Sequence, residues 1–121
     1  MNYFDKANEF YNQKQYKHAI DMYKKAMELN DNESSSLYNT AVCFIKLRDF
    51  ENAIQYLLNA IKLKKESSYF FNLGYCYAML NDKRKALNYF NIAWSLNGDD
   101  NECEKAISLI LNTYLNENKT S

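Results

Sequence analysis

Proline is absent from this 121-residue chain, and glycine occurs only twice, at Gly74 and Gly98. A β-sandwich or barrel needs such residues at its many tight turns, so connections here are expected to be few and short. Net charge is absent too: 15 Lys+Arg offset 15 Asp+Glu. That excludes the broad basic field of a general nucleic-acid binder. No apolar run approaches the ~20 residues needed to cross a bilayer. The N-terminal Met1-Asn2-Tyr3-Phe4-Asp5 lacks a basic region followed by an apolar stretch. No signal peptide or membrane insertion is therefore expected, and the expected compartment is the cytoplasm. Cys43, Cys76 and Cys103 form no CxxC pair, and His18, the single histidine, cannot complete a zinc set with them. They are expected to be buried small side chains in a reducing compartment, with no metal and no cofactor. There is no Gly-rich phosphate loop and no nucleophile with a plausible base, so the chain is not expected to be an enzyme.

What is present is 47% apolar residues, enough for a core, and a repeat. Ala19, Ala53 and Ala86 stand 34 and then 33 residues apart. The same steps link Tyr3, Leu37 and Phe70; Ala7, Ala41 and Gly74; and Phe10, Phe44 and Tyr77. They also link Tyr23, Leu57 and Phe90, and Ala26, Ala60 and Ala93. Such self-similarity marks an array of stacked supersecondary units. In the first half of each unit apolar residues recur at i, i+4 and i+7, and the second half repeats sets such as Ala19-Ile20-Tyr23-Ala26. Both halves follow the period of an amphipathic helix. The spacing predicts helices near 2–14, 16–29, 34–47, 50–63, 67–80 and 83–96, with no strands. Asp49 and Asp82 are placed to cap the helices that follow them. Asn97-Gly98 suits a left-handed helix stop. The small column Ala7, Ala41 and Gly74 lets paired helices approach closely, and Gly74 and Ala53 are the expected points of closest approach.

Residues 101–118 read as a seventh helix with one apolar stripe, Ile107, Ile110, Leu111 and Tyr114. A stack of repeats needs such a half-polar helix where it ends in water. The surface it is expected to cover lies around Tyr77, Leu87 and Trp94.

The third unit, Phe70-x-x-Leu73-Gly74-x-x-Tyr77 followed by Ala86-x-x-x-Phe90-x-x-Ala93, closely resembles the tetratricopeptide repeat (TPR) family. The first two units match more loosely, with Lys6 and Thr40 where the family prefers Leu. The resemblance implies an all-α, right-handed superhelical solenoid of three antiparallel helix pairs with a C-terminal capping helix. It implies a single domain over 1–121, with repeats at about 1–33, 34–66 and 67–100.

In this family the first helices of each pair line a concave groove that binds peptides or protein segments. Carried over residue by residue, that groove takes Phe4, Asp5, Asn8, Tyr11 and Asn12 from the first unit, Tyr38, Asn39, Val42, Ile45 and Lys46 from the second, and Phe71, Asn72, Tyr75, Ala78 and Met79 from the third. Of these, Phe4, Asn8, Tyr11, Tyr38, Asn39, Val42, Phe71, Asn72 and Tyr75 are the residues expected to bind peptide. Members that hold the acidic C-terminus of Hsp70 or Hsp90 use two lysines, an arginine and two asparagines. Asn8 and Asn39 match the asparagines, but Phe4, Ser68 and Asn72 stand at the basic positions. The resemblance thus implies an interaction module or scaffold that holds an extended protein or peptide segment in a largely uncharged aromatic and amide groove. A self-associating subunit of a larger assembly and a small secretion-type chaperone are the alternatives. Asparagines at these positions can also brace neighbouring helices, and that possibility stands beside the binding one.

Overall fold

A computed structural model describes residues 2–119. It contains seven helices and, among the described residues, no strand. They are α1 (Tyr3–Asn12), α2 (Tyr16–Glu28), α3 (Glu33–Lys46), α4 (Phe50–Leu63), α5 (Ser67–Met79), α6 (Lys83–Leu96) and α7 (Asn101–Lys119). The hydrophobic period located each within about two residues, the usual uncertainty of helix ends. The chain packs as two compact units that divide between Lys65 and Glu66. Lys64 and Glu66 at that junction both have extended backbones.

Each helix pair closes through the same turn. Lys14, Arg48 and Asn81 take positive φ values of 61°, 60° and 64°. The next residue's N–H then reaches back to a carbonyl five residues earlier: Gln15 to Phe10, Asp49 to Phe44 and Asp82 to Tyr77. This bond, with the shorter one beneath it, satisfies the orphan carbonyls at a helix end. Two of the residues after the bend also start the following helix, since Asp49 accepts from Asn52 N and Asp82 from Lys85 N, each at 3.2 Å. Gln15 makes no such side-chain bond. The expected left-handed stop at Gly98 is not made. No glycine has positive φ, and α6 ends instead at Asn97 with φ −144°. Within the helix pairs the left-handed turn recurs whichever residue occupies it, and between α2 and α3 Asn30 and Asn32 also take positive φ values of 53° and 50°.

In the first unit α1 packs on α2, α2 on α3, and α3 on α4. Ala7, Ala19, Ile20, Tyr23 and Cys43 are buried together, with Phe4, Phe10 and Phe44 against them. In the second unit α5 packs on α6, and α6 on α7. Gly74 meets the Phe90 ring so closely that an added Cβ would stand 2.6 Å from it. Under α7, Ala86, Phe90 and Ile110 are buried against Phe71, Tyr77, Leu87, Ala106 and Ile107. Tyr77 and Leu87 pack against this cluster, while Trp94, in the last turn of α6, remains 43% exposed. The stripe has also moved. Cys103, Ala106, Ile107 and Ile110 face the core, and Leu111 points to solvent. The side chain of Tyr114 lies outside the described residues.

Candidate functional site

The first unit has a concavity of about 410 Å³ lined by Asn8, Tyr11, Asn12, Tyr23, Tyr38, Asn39 and Val42. Helical spacing sets this membership. Asn8, Tyr11 and Asn12 are at i, i+3 and i+4 on α1, and Tyr38, Asn39 and Val42 are on one face of α3. α2 supplies Tyr23 from below. The lining is three amides, three phenols and one aliphatic side chain, with no charged group among them.

Tyr23 organises the floor. Its ring is 1% exposed, and Phe4 meets it edge-on at 5.9 Å between centroids. Its hydroxyl donates to Asn8 Oδ1 at 2.5 Å. Burial, with the Cys43 thiol close by, pushes the Tyr23 phenol up to about 12, and the nearby Asn39 side chain pulls the other way. Tyr11 stands edge-on to Tyr16 at 5.6 Å. Burial raises its pKa as well, followed by the electrostatic effects of Tyr16, Cys43 and Tyr38. Tyr11 and Tyr23, both raised, therefore remain neutral hydrogen-bonding groups at physiological pH.

The nine residues expected to bind are divided between the two units. Asn8, Tyr11, Tyr38, Asn39 and Val42 line the concavity together. Phe4 packs on the core through Tyr23 and does not line it. In the second unit Phe71 lies against Phe90 at 5.2 Å, Asn72 Nδ2 donates to Ser68 O within its own helix, and Tyr75 is 36% exposed. Sequence reasoning assigned Tyr23 to packing alone and missed its hydroxyl. One signal pointed to it: Leu57 and Phe90 fill the same column, and a phenol in so buried a column needs a polar partner.

Burial pushes the Cys43, Cys76 and Cys103 thiols up to about 12, and Cys103 Sγ donates to Asp100. Such thiols are poor nucleophiles. Among the described residues no three His, Cys, Asp or Glu side chains are grouped to hold a metal ion, and no helix is long and apolar enough to cross a membrane.

Two family models match the chain: the Anaphase-promoting complex, cyclosome, subunit 3 model over residues 2–60, and the Tetratricopeptide repeat model over residues 68–96. This is a tetratricopeptide-repeat protein. Its relatives include the Hsp70-Hsp90 organising protein of Plasmodium falciparum (isolate 3D7), 35% identical over 57 residues, which cover 47% of this chain and 10% of that protein. The TPR chain thus spans about a tenth of the length of that relative. Among solved structures it is similar to the first TPR of Spaghetti (RPAP3) bound to HSP90 peptide SRMEEVD. That match has a TM-score of 0.88 at 20% identity, over 93% of this chain and 90% of the other. It is also similar to the second TPR domain of human RPAP3 in complex with HSP70 peptide SGPTIEEVD, with a TM-score of 0.83 at 22% identity, over 90% and 92% of the two chains. These structures share the fold of helix pairs.

Proposed function

We propose that this TPR protein is a protein-interaction module that holds an extended, largely uncharged peptide segment, with the concavity of the first unit as its anchor. The observation that carries the reading is the composition of that concavity: amides and phenols drawn from α1 and α3, with no charged side chain. Peptide backbone is neutral and alternates donors with acceptors, which is what amides and phenols pair with. Tyr11 and Tyr38 add apolar ring surface with polar tips.

Kinship with proteins solved on acidic HSP90 and HSP70 peptides supports peptide as the ligand class. It does not carry the acidity of those peptides over. This chain keeps Asn8 and Asn39, but Phe4 occupies the first basic position and packs on Tyr23. A carboxylate in this concavity would lose water without meeting a cation.

The test begins with a blocked, uncharged peptide selected from a displayed library on the whole chain. Val42 is half-buried in the lining. Val42→Glu should weaken binding of that peptide by at least about tenfold, or ~1.4 kcal/mol, and leave the circular dichroism spectrum unchanged. Undiminished affinity in a folded Val42→Glu chain would move the site elsewhere.

A further inference from the structure

Gly74 follows Leu73, so Asn97-Gly98 is the single Asn-Gly pair in the chain, and the fold does not use it as a left-handed stop. The side-chain carbonyl of an asparagine is an electrophile for the backbone nitrogen that follows it, and the reaction is limited by access to that nitrogen. Inside a helix the following N–H is engaged in the backbone ladder and held away. Asn2, Asn30, Asn32, Asn81 and Asn97 lie outside the helices. After Asn30 and Asn81, the N–H groups of Asp31 and Asp82 are donated to the Ala26 and Tyr77 carbonyls. After Asn2 and Asn32 come Tyr3 and Glu33, whose side chains crowd the nitrogen. After Asn97 the nitrogen belongs to a residue with no side chain, and the Gly98 N–H donates to no acceptor among the described residues. Asn97 itself is exposed, in the loop that joins α6 to α7, with φ −144° and ψ 84°.

We propose that Asn97 is a self-modification site, converted to isoaspartate through attack by the Gly98 nitrogen, and that the change loosens the start of α7. The Gly98 amide gives up its proton and its nitrogen bonds to Asn97 Cγ. The Cγ–Nδ2 bond breaks, and Nδ2 leaves as ammonia, which carries that proton away. Water then adds to one of the two carbonyl carbons of the resulting succinimide ring. Opening at Cγ gives aspartate. Opening at the backbone carbonyl gives isoaspartate, whose chain runs on through Cβ and Cγ and is longer by one atom. Water enters and ammonia leaves, with no oxidant or cofactor. The junction is sensitive to the extra atom. Asp100 N donates to Asn97 O at 3.1 Å, and that carbonyl becomes the free carboxylate of isoaspartate. Asp100 in turn starts α7: its Oδ1 accepts from Glu102 N at 2.9 Å and from Cys103 N at 3.4 Å, and its Oδ2 accepts from Cys103 Sγ at 3.3 Å. The new carboxylate also stands at the C-terminus of α6, where the helix dipole disfavours it, beside Asp99 and Asp100. This site is independent of the concavity in the first unit.

The test ages the whole chain at neutral and at mildly alkaline pH. Each asparagine is followed by proteolysis and mass spectrometry, and isoaspartate is reported by an isoaspartyl methyltransferase. Asn97 should react before every other asparagine, and several-fold faster at the higher pH, because the attacking nitrogen must lose its proton. Gly98→Ala fits the fold, since its Cβ would meet only Trp94 O at 3.9 Å and its φ is not positive; it should slow the reaction at least several-fold. Another asparagine reacting first, or Gly98→Ala ageing as fast as wild type, would overturn the site. The effect on α7 is read at Cys103, which is fully buried. After ageing, its alkylation by a thiol reagent should quicken several-fold, while Cys43 in the first unit stays protected. Freshly prepared Asn97→Asp carries the new charge without the extra atom and should keep Cys103 protected. An isoaspartate-bearing chain whose Cys103 is alkylated no faster than in the fresh protein, or equal exposure in Asn97→Asp, would overturn the role assigned to the lengthened backbone.

Discussion

The contact between Gly74 and Phe90 offers a sharp test of how the repeats are packed. A Cβ at Gly74 would lie 2.6, 2.7 and 2.9 Å from Cδ1, Cε1 and Cγ of the Phe90 ring. Comfortable carbon contacts begin near ~3.5 Å, so the ring must retreat by about 1 Å. It has little room, being 3% exposed and seated beside Phe71, Ala86 and Ile110. Overpacking of this kind costs about 1–3 kcal/mol. Alanine in a helix returns about 1 kcal/mol over glycine. Gly74→Ala should therefore destabilise by a net ~0–2 kcal/mol. The second repeat shows the remedy, because its matching pair is Ala41 and Leu57, both fully buried. In a Phe90→Leu background the clash is gone and only the propensity gain remains. Gly74→Ala should then stabilise by about 0.5–1 kcal/mol, a coupling of about 1–3 kcal/mol between the two positions. Urea unfolding of the four proteins, followed by circular dichroism at constant m-value, measures this directly. Equal effects of Gly74→Ala in both backgrounds would refute the reasoning.

Two further outcomes follow from the comparison of repeats. Gln15 occupies the column of Asp49 and Asp82 without their capping bond, so Gln15→Asp should raise stability by about 0.5–2 kcal/mol; an unchanged urea midpoint would count against the shared turn geometry. The Thr40 hydroxyl is buried with no hydrogen-bond partner among the described residues, so the near-isosteric Thr40→Val should stabilise by about 1 kcal/mol, read from the same melts, and a loss of stability would mean that the hydroxyl has a partner after all.

Most of the fold was legible because three copies of one pattern constrain each other. Asp49 and Asp82 announced their helix starts by side-chain chemistry, and Gly74 announced the close approach by having no side chain. What escaped was set by three-dimensional demand instead. Lys14, Arg48 and Asn81 adopt left-handed backbones although none is glycine, because the turn between paired helices requires one there. Gly98, which could have adopted one, does not. In the candidate site, the resemblance to the TPR family implied a shared groove for Asn8, Tyr11, Tyr38, Asn39 and Val42, and these five line one concavity. The same logic placed Phe4 with them, but it cannot show that an aromatic beside a buried tyrosine turns edge-on to it. Hydrogen-bond direction was beyond pattern altogether, because the Tyr23–Asn8 bond joins residues 15 apart on different helices.

The central claim is that this TPR protein anchors a neutral peptide segment in an uncharged concavity. The direct measurement is a fluorescence-anisotropy titration of the whole chain with two probes, the library-selected blocked peptide and SRMEEVD with a free C-terminus, each from low to moderate salt. The account predicts that the blocked peptide binds more tightly and changes less than about threefold across the salt range, because no fixed charge on the lining is there to be screened. Tighter binding of SRMEEVD, lost on amidating its C-terminus or on adding salt, would contradict it.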